Sequence, residues 1–306
     1  MSRLIRIADS SMEFGTPQFG PFEDSSGILE DSGALRNRLK EHGYLFIRGF
    51  HPRDEVLAVR QLILSEFHRA GVLLPGTLPS EGVAGSPSGI NPWTRLKVSP
   101  EMRRLIEAKR VFELFERIFN KAALCLDLKI FRSAKTGDHT GAHYDAVYVG
   151  QGSANVHTLW MPFGDVPIEQ GTLVINQGSH SLPGFARLRD TYGKMDVDRD
   201  RILGAKGSLP GWFSHDPVEI LNRFGGRWVT DDFQAGDILI FGLHTMHIST
   251  TNTTNRYRLS VDARFQPSDE PADQRWSGAA PSGNVIAHGD KSKFVPLETA
   301  RKGWGV

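Results

Sequence analysis

The run Tyr257-Arg258-Leu259-Ser260-Val261-Asp262-Ala263-Arg264-Phe265-Gln266 alternates residue by residue. Leu259, Val261, Ala263 and Phe265 share one face; Arg258, Ser260, Asp262 and Arg264 share the other. A repeat of two is the side-chain period of a β-strand, and the apolar face predicts packing on a core. The polar face permits two readings. It is either a solvated edge or the interior of a barrel that holds an anion. For the second, Arg258 offers a planar fork that matches a carboxylate, and Ser260 can donate one further hydrogen bond.

The same period begins near residue 122, where Leu124, Leu126, Leu128 and Ile130 alternate with Cys125, Asp127 and Lys129. Further strands are predicted at residues 146–149, 157–162, 172–176 and 237–241, separated by Gly and Pro turns. Many short strands with such turns predict an antiparallel sandwich or barrel. The first part of the chain is helical instead. A helix is predicted over 31–39, stopped by Gly43, followed by a buried strand, Tyr44-Leu45-Phe46-Ile47. A longer helix with Asp54 as N-cap carries Val56, Val59, Ile63 and Phe67 on one face and closes at Gly71. Ser99-Pro100-Glu101 starts a helical region whose apolar face holds Leu105, Val111, Leu114, Phe115 and Ile118. Helices followed by strands, without βαβ alternation, predict one mainly-β α+β unit spanning residues 1–306. Residues 74–92 read as a loop, 181–232 as a long irregular insert suited to a lid, and 267–306 as a tail.

Composition removes several classes. A net charge of +1 over 306 residues gives no global reason to bind nucleic acid or an anionic membrane. The single cysteine, Cys125, excludes an intrachain disulfide and a cysteine zinc cluster, and its apolar neighbours predict a buried thiol. The segment Met1-Ser2-Arg3-Leu4-Ile5-Arg6 lacks the apolar stretch of a signal peptide, and no window approaches the roughly 20 apolar residues that span a bilayer. A cytoplasmic protein is expected.

The chemistry lies in Gly141-Ala142-His143-Tyr144-Asp145 and in a distant histidine. On an extended backbone His143 and Asp145 point to one face and can grip one ion. Alone, such a tripeptide is more often a solvated turn. Two histidines, His244 and His247, compete to complete the set, and His247 is followed after ten intervening residues by Arg258-Leu259-Ser260. Two imidazoles and one carboxylate can occupy one face of an octahedral metal and leave the other open, as oxygen-activating Fe(II) sites require.

With these runs stand Leu159-Trp160-Met161-Pro162, Gln170-Gly171-Thr172-Leu173, Gly178-Ser179-His180 and Ala235-Gly236-Asp237. Taken in this order, the chain resembles the phytanoyl-CoA dioxygenase family of Fe(II)/2-oxoglutarate oxygenases and its ectoine-hydroxylase-like bacterial branch. The resemblance covers roughly residues 35–265 and leaves the first 30 residues and the tail without counterpart. It implies a double-stranded β-helix (a jelly-roll or cupin-like barrel) with flanking N-terminal helices. It implies that His143, Asp145 and His247 hold Fe(II), that Arg258 with Ser260 binds the distal carboxylate of 2-oxoglutarate, and that Trp160 lines that pocket. His180 reads as structural. O2 is then the oxidant, and 2-oxoglutarate leaves as succinate and CO2. A carboxylate at position 145 argues for hydroxylation or another oxidation without halide, because related halogenases keep a small residue there for halide.

The substrate is less legible. Arg187, Arg189, Arg199, Arg201 and Lys206 could meet phosphates, but Asp190, Asp196, Asp198 and Asp200 are interleaved, and mixed signs rarely make an anion site. A small metabolite or natural-product intermediate is expected rather than an acyl-CoA. Two other classes compete: a cupin-like metal-dependent isomerase or a dioxygenase without 2-oxoglutarate, and a silent binding protein. The first has no use for Arg258-Leu259-Ser260; the second has none for an intact triad.

Overall fold

The computed structural model describes residues 3–96, 99–192 and 211–279, with the single positions 281 and 302. The N-terminal strands are β1 (Arg3–Ile7), β2 (Ser10–Phe14), β3 (Phe19–Pro21) and, after the first helix, β4 (Tyr44–Ile47). The helices are α1 (Ser32–His42), α2 (Arg53–Arg69), α3 (Trp93–Leu96), α4 (Pro100–Ile106) and α5 (Lys109–Phe119). There follow β5 (Ala123–Cys125), β6 (Ile130–Ala134), the short helix α6 (Ala146–Val149), β7 (His157–Pro162) and β8 (Leu173–Gln177). The last strands are β9 (Arg227–Thr230), β10 (Ile238–Gly242), β11 (His247–Ser249) and β12 (Arg258–Pro267).

Two sheets result. The larger runs β4-β10-β7-β12-β5, with β6 pairing the other half of β12; the smaller runs β11-β8-β9-β3. Their inner faces meet in an apolar cluster that joins Tyr44, Phe46, Trp160 and Leu239 of the larger sheet to Ile175 and Val229 of the smaller. The alternate residues of the same strands, among them Leu45, Ile47, Leu159, Ile240, Val261 and Phe265, pack outward against α1, α2, α4 and α5. Phe265 stacks on Phe115 of α5 with ring centroids 4.2 Å apart. Burying such a side chain contributes about 1.5–3 kcal/mol. A slip of one residue would turn every one of them to the opposite face, so the register of β12 is strongly specified. The fold is the double-stranded β-helix expected, with its helices on the outer face of the larger sheet.

The helices form where their end signals stand. Asp31 caps α1, its side chain accepting from the Ala34 amide, and Gly43 ends it in the left-handed region at φ 83°. A side chain at Gly43 would also collide with His180. His180 Nε2 bonds the Lys40 carbonyl at 2.9 Å, so that histidine is a structural clasp on α1. Ser99 caps α4 with Pro100 at its first position.

Several expectations change. Asp54 lies in the first turn of α2, and Pro52 occupies the N-cap. The alternating stretch after residue 122 is two strands, not one, and both pair with β12. Residues 146–149 form a helical turn rather than a strand, because Tyr148 and Val149 donate back to the Asp145 carbonyl at 2.9 and 3.1 Å. A short apolar run does not by itself distinguish the two. Of the insert, residues 193–210 lie outside the described residues, and Arg199, Arg201 and Lys206 with them. Its later part is core rather than lid: Phe213 and Trp228 are fully buried, and Trp228 belongs to β9. The first 30 residues, without counterpart in the resemblance, supply β3, which pairs in parallel with β9 at the edge of the smaller sheet. Most of the tail falls outside the described residues, but Asp273 and Trp276 are buried. Among the described residues no helix is long and apolar enough to cross a membrane.

Candidate metal centre

Near the apolar cluster, the space between the sheets becomes polar. His143 leaves the strand-like segment before α6, and its amide and carbonyl pair with those of His247 on β11, at 3.0 and 3.1 Å. Register decides which histidine enters. His247 faces Ile175 across β11 and β8, on the inner side, while Ile248 faces Val174 outward. His244 sits beside the ring of Tyr144, outside the cluster, so the structure brings together His143, Asp145 and His247 and leaves His244 out. Asp145 reaches the centre from a turn, φ −62° and ψ −23°, and not from the extended backbone that its spacing suggested.

The three donor atoms converge. Asp145 Oδ1 lies 3.8 Å from His143 Nε2 and 3.9 Å from His247 Nε2. Each imidazole is oriented from behind: Nδ1 of His143 donates to the Gly141 carbonyl at 2.8 Å, and Nδ1 of His247 to the Thr245 carbonyl at 3.0 Å. A carbonyl only accepts, so Nδ1 carries the hydrogen and each Nε2 lone pair faces the centre. Burial holds both imidazoles below their ordinary pKa, and at His143 the neighbouring His247 adds to the effect. Burial opposes the Asp145 charge, but Arg264, the two histidines and the Thr158 hydroxyl outweigh it and hold this carboxylate well below the usual range. Neutral imidazoles and an ionised carboxylate are the states a metal requires.

The polar face of β12 completes the cavity, and the solvated-edge reading is excluded because every residue from Arg258 to Pro267 is buried. Arg258 lines the cavity with His143, Asp145 and His247. Its Nη1 donates to Ser260 Oγ, and its buried Nε has no hydrogen-bond partner. Burial, with Arg132 nearby, pushes Arg258 down to about 10, which leaves it charged at neutral pH. Trp160 is not on the cavity wall. It lies behind Arg258, its ring centroid 5.9 Å from the guanidinium carbon. An unpartnered buried donor beside an open cavity fits an anionic ligand.

Four further groups join the site that spacing did not assign. Thr158 donates to Asp145 Oδ2, and Arg264 Nη2 approaches the same oxygen at 3.1 Å. Arg132 Nε donates to Asp262 Oδ2 at 2.8 Å. Arg264 and Asp262 share the face of Arg258, so the alternation could have found them. Arg132 and Thr158 sit on β6 and β7, and nothing in their neighbourhood of sequence marks them.

Two facing sheets with a buried pair of histidines and one carboxylate between them define the class: a double-stranded β-helix protein with a 2-His-1-carboxylate site. A model of the phytanoyl-CoA dioxygenase family matches residues 39–260, and the chain belongs to that family. It is 23% identical over 267 residues to a 1-deoxypentalenic acid 11-beta-hydroxylase of Streptomyces arenae, covering 82% of this chain and 87% of the relative. Its fold is shared with the carbocyclase SnoK from nogalamycin biosynthesis, described as non-heme and alpha-ketoglutarate dependent (TM-score 0.56, 17% identity, 88% of this chain and 98% of that one). It is shared also with the epimerase SnoN, solved with Fe3+, alpha-ketoglutarate and nogalamycin RO (TM-score 0.53, 22% identity, 86% and 97% covered).

Proposed function

We propose that this chain is an Fe(II)- and 2-oxoglutarate-dependent dioxygenase that hydroxylates a small-molecule metabolite or natural-product intermediate. One observation carries the reading: a converged His143, Asp145, His247 cluster and a buried, partly unpartnered Arg258 line the same cavity. His143, Asp145 and His247 would hold the iron on one face, which leaves positions for the co-substrate and O2. Arg258, steadied by Ser260 and backed by Trp160, would hold the distal carboxylate of 2-oxoglutarate. When bound, iron and 2-oxoglutarate supply the oxidising power, with succinate and CO2 released. The protein's share is orientation and exclusion of water: most of the wall is buried side chains, and the imidazoles stay neutral and fixed from behind.

The natural-product class of substrate is supported by the hydroxylase relative, named for 1-deoxypentalenic acid, and by the nogalamycin enzymes of the same fold. A reducing, cytoplasmic setting suits a ferrous centre. The test is a panel of such intermediates incubated with Fe(II), 2-oxoglutarate and ascorbate, scored for succinate and for the mass gain of one oxygen atom. Succinate coupled to that gain is expected. Mass gain without 2-oxoglutarate would overturn the reading.

A further inference from the structure

Beyond residue 260, where the family match ends, the chain still reaches the metal centre. Arg264 on β12 is 2% exposed, and its Nη2 lies 3.1 Å from Asp145 Oδ2, the carboxylate oxygen turned away from the two histidines. Its Nη1 lies 3.6 Å from Asp262 Oδ2, the atom that accepts from Arg132. The guanidinium is covered on one side by Trp276, whose ring centroid is 5.2 Å from the guanidinium carbon. Trp276 is itself fixed. It is 2% exposed, its Nε1 donates to the Tyr148 carbonyl at 3.1 Å, and its own carbonyl accepts from the Leu128 amide at 3.1 Å. Arg275 Nη2 bonds the same Tyr148 carbonyl at 2.9 Å. Tyr148 belongs to α6, the turn that Asp145 begins. The segment after β12 therefore grips Asp145 twice, through its side chain by way of Arg264 and through its main chain by way of α6.

We infer that Arg264 is a positioning residue that confines Asp145 to one metal-binding oxygen, Oδ1, and that Trp276 holds Arg264 in place. A carboxylate has two equivalent oxygens, and an unrestrained one can swing to chelate an ion with both, closing a position the reaction needs. Here Thr158 and Arg264 both bond Oδ2, and Oδ1 is the oxygen that approaches His143 and His247. The arrangement also stops Asp145 from rotating when the metal is absent. The inference rests on the reading of His143, Asp145 and His247 as metal ligands.

The test uses the full chain, stripped of metal, with Co(II) alone as probe, and reads both affinity and the visible Co(II) spectrum. Outer partners of metal ligands typically change affinity by about 10- to 100-fold. Arg264→Gln should weaken Co(II) by that amount and alter the spectrum, because the freed Oδ2 can reach the ion. Arg264→Lys, which keeps a cation beside Oδ2, should recover most of the affinity and the parent spectrum. Trp276→Leu removes the cover from the guanidinium and should weaken Co(II) about two- to tenfold. Parent affinity and parent spectrum in Arg264→Gln would overturn the inference. If Arg264→Gln does not fold, Trp276→Leu decides, and a protein indistinguishable from the parent in both readouts overturns it. No Co(II) binding by the parent would instead remove the metal centre itself, and this inference with it.

Discussion

His143 and His247 are bonded to each other through their backbones: the amide of His143 donates to the carbonyl of His247 at 3.0 Å, and the amide of His247 donates back at 3.1 Å. This is the closely bonded pair of an antiparallel ladder, and it sets two imidazoles side by side, ring centroids 4.1 Å apart. The two side chains are therefore aligned before any ion arrives. Positioning costs that a flexible site would meet on binding are met here by folding.

The proposed co-substrate site can be separated from this pair, because Arg258 bonds Ser260 and not the histidines. Removing one partner of a buried charged pair costs about 3–5 kcal/mol. Arg258→Ala should raise the 2-oxoglutarate requirement by more than about a hundredfold. Co(II) affinity should change little. Equal losses of both in titration calorimetry would show that Arg258 supports the metal rather than the co-substrate.

The two tryptophans of the insert at 181–232 should behave differently. Trp228 is fully buried and donates from Nε1 to the Pro217 carbonyl at 3.0 Å, so Trp228→Ala should lower folding stability by about 3–5 kcal/mol in urea unfolding. Trp212 packs over Gly141, where an added Cβ would lie 3.1 Å from it, two residues before His143. Trp212→Ala should leave the urea midpoint near that of the parent and impair turnover. The opposite assignment of effects would contradict this placement.

Away from the site, His51 gives a pH signature. It is 1% exposed, accepts from Arg110 Nε at 3.1 Å, and is pushed down to about 3 by burial and by Arg110. Below the ordinary histidine value near 6.5 the unfolded chain takes up a proton that the folded chain refuses, so stability falls as pH drops. At pH 5.5 one such group costs about 1.4 kcal/mol relative to neutral pH. His51→Gln keeps an acceptor for Arg110 and does not titrate. Between pH 7.5 and 5.5 it should lose about 1.4 kcal/mol less than the parent in urea unfolding; an identical loss would contradict the assignment.

Much of the fold and site was legible in the chain because the signals were local and periodic. The alternation of β12 places Arg258 and Ser260 inward, and Tyr44–Ile47 reads as a buried strand because all four of its residues are apolar and a glycine precedes it. His143 and Asp145 were readable as a pair, and His247 was favoured over His244 by the Arg258-Leu259-Ser260 run downstream of it, but the register of β11 on β8 is what turns His247 inward. The groups that escaped depend on contacts across sheets. Arg132 and Thr158 come to the site only through pairing with β12 and the course of β7. The helical turn at Ala146–Val149 depends on the dihedral angles of Asp145, which an apolar tetrapeptide does not encode. The residues from Phe213 to Trp228 looked like a loop because glycines and charges dilute their period, yet their aromatic side chains fill the space behind the smaller sheet. Trp276 lies past the last strand, where no pattern marks it.

On the function proposed, His143, Asp145 and His247 together hold one ferrous ion. The most direct measurement is an anaerobic titration of metal-free protein with Fe(II), comparing the parent with His143→Ala, Asp145→Ala, His247→Ala and His244→Ala. One ion should bind per chain in the parent and in His244→Ala, and tight binding should be lost in each of the other three. Full occupancy in His247→Ala, or its loss in His244→Ala alone, would contradict the account.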